Sequence, residues 1–444
     1  MKTSLSQLKE PLDGELYNSD SNFNGISIDS RTIKPNNLFV AIKGHNFDGH
    51  NFIDEAITKG ASAIICERKI INVPQLIVKD TIIALGVIAQ LHINKLKPIS
   101  IGITGTNGKT SVTKLIYSML NWNNEALTNF GNFNNHIGVP LSVLELSTHQ
   151  KHCVIEMGAS IKGDIKYLCE IIRPKIVALL NVSAAHMESF ENFENILLTK
   201  EEILLNQGFT KTVILNKDDI NFERWKEIAI DHNIITISKN EKADYSIQSL
   251  DTNKININLP DNQLLQLSLK EYHINFIENI LFSVACSHQA GATIENIVNG
   301  YNNYKGVKGR FYIYELADNS KVIDDTYNAN PSSMKKSLDS LSSMSGDKWF
   351  VMGDMGELGA QSEEFHQDVI EYAKKNKIDK LFYIGKHDHI VKKTFGDNAY
   401  CFDNKLTLIK FIQTNMHKNV NILVKASRFM KFEDIVIQLV NNSE

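Results

Sequence analysis

The stretch Ile99-Ser-Ile-Gly-Ile-Thr104-Gly105-Thr106-Asn107-Gly108-Lys109-Thr110-Ser111 decides how the rest of this 444-residue chain is read. An apolar, β-branched run stops at a glycine-rich turn, and a Lys-Thr pair then opens what reads as a helix over 112–120. Glycines let backbone N–H groups crowd around phosphate oxygens, and the helix terminus adds partial positive charge. In such a loop Lys109 neutralises the β/γ-phosphates and the Thr110 hydroxyl meets Mg²⁺. The strict spacing G-x-x-x-x-G-K-[ST] fails by one position, because Ile103 stands where its first glycine belongs. The tighter form G-T-x-G-K-T is complete from Gly105 to Thr110. A bare glycine-rich turn needs no lysine and threonine after its last glycine. The stretch predicts a site for ATP or GTP.

Outward from the loop, strands alternate with helical patterns from Lys97 to about Asn303. The apolar runs are Ile99–Ile103, His152–Ile155, Ile176–Leu180 and Thr212–Leu215. That alternation implies a parallel sheet covered on both faces. Between Asp244 and Leu269 the pattern shortens to alternating polar and apolar residues, which predicts an antiparallel patch. Upstream, Gly25–Asp29 and Asn37–Ile42 read as strands, Phe52–Lys59 as a helix and Ala61–Cys66 as a further strand. Downstream, Lys321–Ile323, Trp349–Met352, Lys380–Ile384 and Asn421–Val424 read as strands, each trailed by a helix-like segment. The expected architecture is three α/β domains: residues 1–85, a central P-loop ATPase-like parallel sheet over 86–305, and a Rossmann-like domain over 306–444.

Composition narrows the class. Hydrophobic content of 43% and charged content of 22% are those of a globular chain. A net charge of −4 argues against a nucleic-acid surface as the main business. The five cysteines are scattered and never in C-x-x-C spacing, which fits a reducing cytoplasm and no zinc site. The N-terminus lacks an apolar h-region, and the most apolar window, Thr81 to Leu91, is far short of the ~20 residues a membrane span needs. A soluble cytoplasmic monomer is expected.

Metal-bound ATP needs acidic or imidazole ligands at the carboxyl ends of strands beside the loop. Glu156 ends the run Cys153-Val-Ile-Glu156, and His186 follows the strand before Asn181. Lys200, beside Glu201 and Glu202, reads from the residues alone as part of a solvated helix face. Three further polar turns close strands of the last domain: Asp324 to Pro331, Gly353 to Gly359, and Lys425 to Arg428. Gathered along one sheet edge, they would form a ligand site.

These motifs together resemble the Mur ligase family. The segments that carry the resemblance run nearly end to end: Asp29-Ser30-Arg31, Gly105 to Thr110, Asn132-Phe-Asn134-Asn135-His-Ile-Gly138-Val-Pro140, Glu156-Met-Gly-Ala, Ala185-His186-Met-Glu188, Lys200-Glu, Gly309-Arg310-Phe, Asp324 to Pro331, Gly353 to Gly359 and Lys425 to Arg428. Three of them, Asn-Asn-x-Ile-Gly-x-Pro, Asp-Asp-x-Tyr-Asn-Ala-Asn-Pro and Gly-Asp-Met-x-Glu-Leu-Gly, look like the family's D-alanyl-D-alanine-adding branch. The Asp-Asn-Pro-Arg segment of the diaminopimelate- or lysine-adding branch is absent.

The resemblance implies an ATP- and Mg²⁺-dependent ligase that joins D-alanyl-D-alanine to UDP-N-acetylmuramoyl-tripeptide. It implies that Ser30, Arg31 and the turn with Gly44, His45 and Asp48 hold the UDP end of the substrate. Asn134 and Asn135 would meet the same substrate. Gly105, Thr106, Asn107, Gly108, Lys109, Thr110 and Ser111 would hold phosphates, and Thr110, Glu156, His186 and a carbamylated Lys200 would hold metal. Asn279 would contact adenine, although the segment reads Asn275-Phe-Ile-Glu-Asn279 where relatives often carry His-Asn. Arg310, Asp324 and Asn328 would reach the nucleotide, and Lys425 or Arg428 the dipeptide carboxylate. Rival readings are another Mur-type amide ligase (including one like folylpolyglutamate synthase), a P-loop kinase or motor ATPase, and a non-catalytic nucleotide-binding module.

Overall fold

The computed structural model describes residues 2–44, 47–70, 72–183, 190, 192–205, 208–251, 253–269 and 276–441. Three large sheets follow one another along the chain, each with helices packed on it, and a small antiparallel pair joins Lys2–Ser4 to Asn22–Asn24. This is the α/β, three-domain arrangement expected from the sequence.

The central sheet orders its strands Leu264–Ser268, Lys254–Asn258, Tyr245–Leu250, Asn233–Ser238, Thr212–Asn216, Ile176–Leu179, Ile99–Thr104, His152–Glu156 and Ala126–Thr128. Pairing is parallel from Ala126–Thr128 through to Tyr245–Leu250 and antiparallel beyond. The inner strands are buried on both faces, which is why they read as unbroken apolar runs. The antiparallel patch shows the opposite signature: Leu265 and Leu267 are buried while their neighbours face solvent.

The last sheet runs Tyr312–Glu315, Lys321–Asp324, Val420–Lys425, Asp347–Gly353, Lys380–Ile384 and Ala399–Cys401. Only its first pairing is antiparallel. The three strands followed by polar turns are therefore neighbours. The first sheet runs Glu15–Tyr17, Gln75–Ile77, Ala63–Cys66, Leu38–Val40 and Ile26–Ser27.

Several expectations shift at element ends. The strand expected over 25–29 shrinks to Ile26–Ser27, because Asp29 turns to cap the short helix Ser30–Thr32. The helix after the glycine loop begins at Lys109, three residues earlier than its apolar periodicity shows, since Gly108 at φ +87° supplies the turn into it. Asn233–Ser238 is a parallel strand that the sequence pattern did not disclose. Asp80 caps the helix Thr81–Leu96 by accepting from the N–H groups of Ile82 and Ile83, and this helix runs unbroken through residue 85.

The chain leaves Ile99–Thr104, visits the edge strand Ala126–Thr128, returns to His152–Glu156 and then crosses to Ile176–Leu179 on the other side. Such a reversal opens a crevice at the carboxyl ends of the strands. The glycine loop, Glu156 and Asn181 all lie there.

Candidate active site

The phosphate loop is held from behind by the turn after Ile176–Leu179. The Asn181 carbonyl accepts from Thr106 N–H at 2.9 Å, its Oδ1 accepts from Asn107 N–H at 3.0 Å, and its Nδ2 donates to the Asn107 carbonyl at 3.0 Å. Ser183 adds three more bonds, its N–H donating to Thr106 Oγ1 at 3.0 Å, its carbonyl accepting from Thr106 Oγ1 at 3.3 Å and its Oγ accepting from Asn107 Nδ2 at 3.3 Å. Sequence reasoning missed this clamp, whose only signal was an Asn-x-Ser at a strand end. The loop is also a tight fit. Gly108 sits at φ +87°, and a Cβ there would lie 2.7 Å from Asn279 Oδ1. Gly105 sits at φ +150° against Leu180 and Asn181. Only glycine leaves room at such positions for a backbone cradle, so the loop fits a triphosphate.

Lys109 lays its Nζ over the loop carbonyls of Gly105 (2.9 Å) and Thr106 (3.0 Å). Burial, then the nearby Arg310 charge, pull this ammonium below the ordinary lysine pKa, against the opposing pull of Glu156. Glu156 is 6% exposed, and its carboxylate accepts from Thr110 Oγ1 at 2.8 Å and from Asn134 Nδ2 at 2.7 Å. Asn129 ties the same strand end down, taking the Glu156 N–H at 2.7 Å and donating to the Phe133 carbonyl at 2.7 Å. Asn135 accepts from the Gly138 N–H at 2.8 Å and lines the same cleft. A hydroxyl and a carboxylate on adjacent loop ends form an oxygen donor pair of the kind Mg²⁺ takes. His186 lies outside the described residues.

Lys200 corrects the reading of a solvated face. It is 5% exposed, on the wall of the cleft, in the helix Phe193–Glu201. The glutamates beside it look elsewhere. Glu201 pairs with Arg224 and accepts from Trp225 Nε1 at 3.1 Å, and Glu202 accepts from the N–H groups of Gly163 (2.6 Å) and Lys166 (3.0 Å). Burial, then the Lys109 charge, bring the Lys200 pKa down to about 7 against the pull of Asp164, Glu156 and Glu202.

The third domain faces this wall across a cavity of about 500 Å³. Its three polar turns interlock as their shared edge requires. Lys425 Nζ donates to Asp325 Oδ2 at 2.6 Å and to the Asn328 carbonyl at 3.1 Å. Ser427 Oγ accepts from the Gly356 N–H at 2.7 Å. Arg310 lies 3.8 Å from the Tyr327 ring centroid, and Arg310, Asn328 and Lys425 all line the cavity. Asp324 instead turns inward, accepting from Gly309 N–H at 2.9 Å and Thr326 Oγ1 at 2.6 Å, whereas its neighbour Asp325 lines the cavity. Arg428 is at the surface in an ion pair with Glu433 at 2.9 Å.

Asn279 and Ser111 border both this cavity and a smaller one of about 330 Å³, walled by Phe276, Tyr301, Tyr304, Phe311 and Tyr312. Flat aromatic walls beside a phosphate cradle suit a nucleobase.

The residues expected to meet the UDP end sit apart from both cavities, after parallel strands of the first sheet. Ser30 Oγ donates to Glu55 at 2.8 Å, Arg31 pairs with Asp29 at 2.7 Å, and Asp48 accepts from His50 N–H at 3.0 Å. The Gly44 N–H donates to the Phe47 carbonyl at 2.9 Å, and His45 lies outside the described residues. Among the described residues, Asp354, His366 and His387 also bring possible metal-ligand atoms within 4.8 Å of one another. Both His366 nitrogens are already engaged, Nε2 by the Met355 N–H and Nδ1 by the Ser362 carbonyl.

The Mur ligase middle domain matches residues 103–287, the Mur ligase glutamate ligase domain residues 309–428, and the Mur ligase family catalytic domain residues 22–94. The UDP-N-acetylmuramoyl-tripeptide–D-alanyl-D-alanine ligase of Escherichia coli K12 is 34% identical over 451 residues, covering 100% of this chain and 99% of the relative. The chain belongs to the Mur ligase family. Among solved Mur ligases, MurF from Acinetobacter baumannii superposes with a TM-score of 0.90 at 29% identity, covering 99% of each chain. MurF ligase from Thermotoga maritima, solved in complex with ADP, superposes with a TM-score of 0.84 at 29% identity, covering 94% of this chain and 97% of that one. Among the described residues of this Mur ligase, no helix is long and apolar enough to cross a membrane.

Proposed function

We propose that this Mur ligase joins D-alanyl-D-alanine to UDP-N-acetylmuramoyl-tripeptide at the expense of ATP, forming the pentapeptide precursor of peptidoglycan. The observation that carries the reading is the cleft itself. A triphosphate cradle, a buried carboxylate–hydroxyl pair and an aromatic nucleobase pocket converge between the central and third domains, in a chain alike end to end to enzymes of that name.

The terminal carboxylate of the tripeptide attacks the γ-phosphorus of ATP, the bond to the β-phosphate oxygen breaks, and ADP leaves an acyl phosphate. The amine of the dipeptide then attacks the acyl carbon. The tetrahedral intermediate collapses to an amide, releasing phosphate and a proton. The carboxylate is ionised near neutral pH, so the first step needs no base. Lys109 and the loop N–H groups offset charge that crowds at phosphorus. Thr110, Glu156, His186 and a carbamylated Lys200 are the groups assigned to Mg²⁺, which when bound adds Lewis-acid stabilisation of the phosphoryl oxygens. A buried Lys200 with a pKa near 7 supplies a neutral amine that adds to carbon dioxide and loses a proton, leaving a carbamate that is a carboxylate-like ligand.

In this reading residues 1–85 bind the UDP end through Ser30, Arg31 and the Gly44–Asp48 turn, with Asn134 and Asn135 further along the substrate. Residues 86–305 bind ATP, with Asn279 beside the base, and residues 306–444 complete the site through Arg310 and Asn328. The enzyme works in the cytoplasm as a monomer. The test supplies the purified chain with ATP, Mg²⁺ and the nucleotide tripeptide, and varies the amine. D-Alanyl-D-alanine is expected to stimulate phosphate release and yield the pentapeptide; diaminopimelate, lysine and glutamate are not. Stimulation by one of those amines, or phosphate release without any UDP-sugar, overturns it.

A further inference from the structure

The third-domain helix Pro331–Ser342 starts at Asn330, whose carboxamide serves two partners at once. Its Oδ1 accepts from the Ser333 N–H at 2.8 Å, and Ser333 Oγ accepts from the Asn330 N–H at 3.0 Å, a reciprocal cap. Its Nδ2 donates to Oδ1 of Asn107 at 3.0 Å, inside the phosphate loop and 223 residues away in the chain. Asn107 is itself fixed by Asn181 and Ser183, so the bridge ends on a rigid loop. A second contact, Lys336 to Glu278 at 3.2 Å, steadies the same helix but is substantially exposed and worth little.

The chemistry of the cap residue makes this arrangement selective. Aspartate or serine caps a helix about as well as asparagine. Aspartate has no donor for Asn107 Oδ1, and serine is too short to reach it. Glutamine reaches but caps poorly. Rotating the Asn330 amide by half a turn would lose both bonds.

We propose that Asn330 is a positioning residue: it locks the third domain onto the phosphate loop through Asn107, so that Arg310, Tyr327 and Asn328 meet a nucleotide already held by that loop. The proposal rests on the function proposed above.

The test uses the full chain with ATP, Mg²⁺ and both peptide substrates. Asn330→Ser keeps the cap and loses only the bond to Asn107, so thermal melting of the ligand-free protein should fall by less than in Asn330→Ala. Its KM for ATP should rise about fivefold, the worth of one neutral hydrogen bond. Asn330→Ala should lower melting as well, because it loses the cap. In an Asn107→Ala background, Asn330→Ser should add no further rise in KM, since the bridge is already gone. A wild-type KM for Asn330→Ser overturns the proposal, as do independent, multiplying effects of the two substitutions. Equal loss of melting in the serine and alanine variants with KM unchanged reduces Asn330 to a cap and overturns it too. If the wild-type chain neither binds ATP nor forms product, it is the ligase reading that fails. If it does both and the cycle shows no interaction, only the role of Asn330 fails.

Discussion

Two lysines line one cavity from opposite walls, and their surroundings differ in kind. Lys425, in the third domain, is 2% exposed and closed upon itself: its ammonium meets Asp325 at 2.6 Å, and Asp325 also accepts from Ser337 Oγ at 2.6 Å and from the Phe311 N–H at 3.1 Å. Lys200, in the central domain, is as deeply buried, but the glutamates next to it in the chain cap a helix and pair with Arg224 instead. Burial lowers the ordinary pKa of both amines. In Lys425 the loss is offset by a finished network. In Lys200 the neighbouring glutamates provide no such closure, since both are engaged elsewhere. The third-domain wall is closed by its own groups, whereas the function proposed for the central wall gives Lys200 a ligand to hold.

The largest effect expected from this contrast is at the central wall. Lys109→Ala should cut turnover by about 10³–10⁵-fold, the range for loss of a cation that offsets transferred phosphoryl charge. Binding of the UDP substrate, followed by calorimetry, should stay intact, and melting should scarcely move. Loss of UDP-substrate binding in proportion to turnover would show that the domains are wrongly assigned.

Next comes the third wall, where stability should fall rather than chemistry. Asp325→Ala leaves Lys425 charged, buried and unpaired, at a cost of about 3–5 kcal/mol. Lys425→Met in the same chain should recover much of it, since removing both charges is far less costly than removing one. A chemical denaturation series on the two single variants and the double variant measures this. If Asp325→Ala is no less stable than wild type, the closed network does not hold the wall together.

Carbon dioxide separates the two lysines directly. Turnover in buffer stripped of carbon dioxide and bicarbonate should fall by at least ~10-fold and return on adding bicarbonate, since losing even an outer partner of a metal site costs that much. Lys200→Ala should be unresponsive to bicarbonate. A wild-type enzyme indifferent to bicarbonate would leave Lys200 as an amine and remove it from the metal site.

The same contrast explains what could be read in the sequence. The strand Ile99–Thr104 and its loop are local features: β-branched residues, glycines and the Lys-Thr pair announce themselves within a dozen positions. The three polar turns of the third domain were legible because their strands are adjacent and parallel, so the turns had to meet. Lys200 was not legible from the residues. The helix Phe193–Glu201 is buried at Ile196, Leu197, Thr199, Lys200 and Glu201, so neighbouring elements cover it on more than one face and no single apolar stripe marks it. The clamp of Asn181 and Ser183 was missed for a related reason: two short polar residues after a strand look like any turn until the fold places the loop against them. Asp324 and Asp325 show the finest scale. One step along an extended chain turns a side chain to the other face, so Asp324 secures Gly309 while Asp325 reaches the cavity.

Acid tests the third wall with the smallest effect. His366 holds the Met355 N–H on Nε2 and donates from Nδ1 to the Ser362 carbonyl, which fixes the turn containing Gly356. Burial keeps its pKa below the ordinary histidine value, only partly offset by the Ser362 carbonyl, and the His387 ring packed 4.2 Å away also disfavours the charged form. The folded ring therefore takes up its proton at lower pH than the unfolded chain, where it titrates near ~6.5. Stability drawn from the neutral ring is fully present above about pH 6.5 and is lost as pH falls toward its lower folded value, by no more than about 1.4 kcal/mol per pH unit. His366→Gln should start less stable at pH 8 yet lose less between pH values of about 6.5 and 5, because one proton uptake on unfolding is gone. Other histidines, such as the buried His92 and the half-buried His152, shift in the same direction and stay in both proteins, so the difference in slope belongs to His366 alone. Equal slopes would mean that the third wall takes its acid sensitivity from groups other than the ring that holds its central turn.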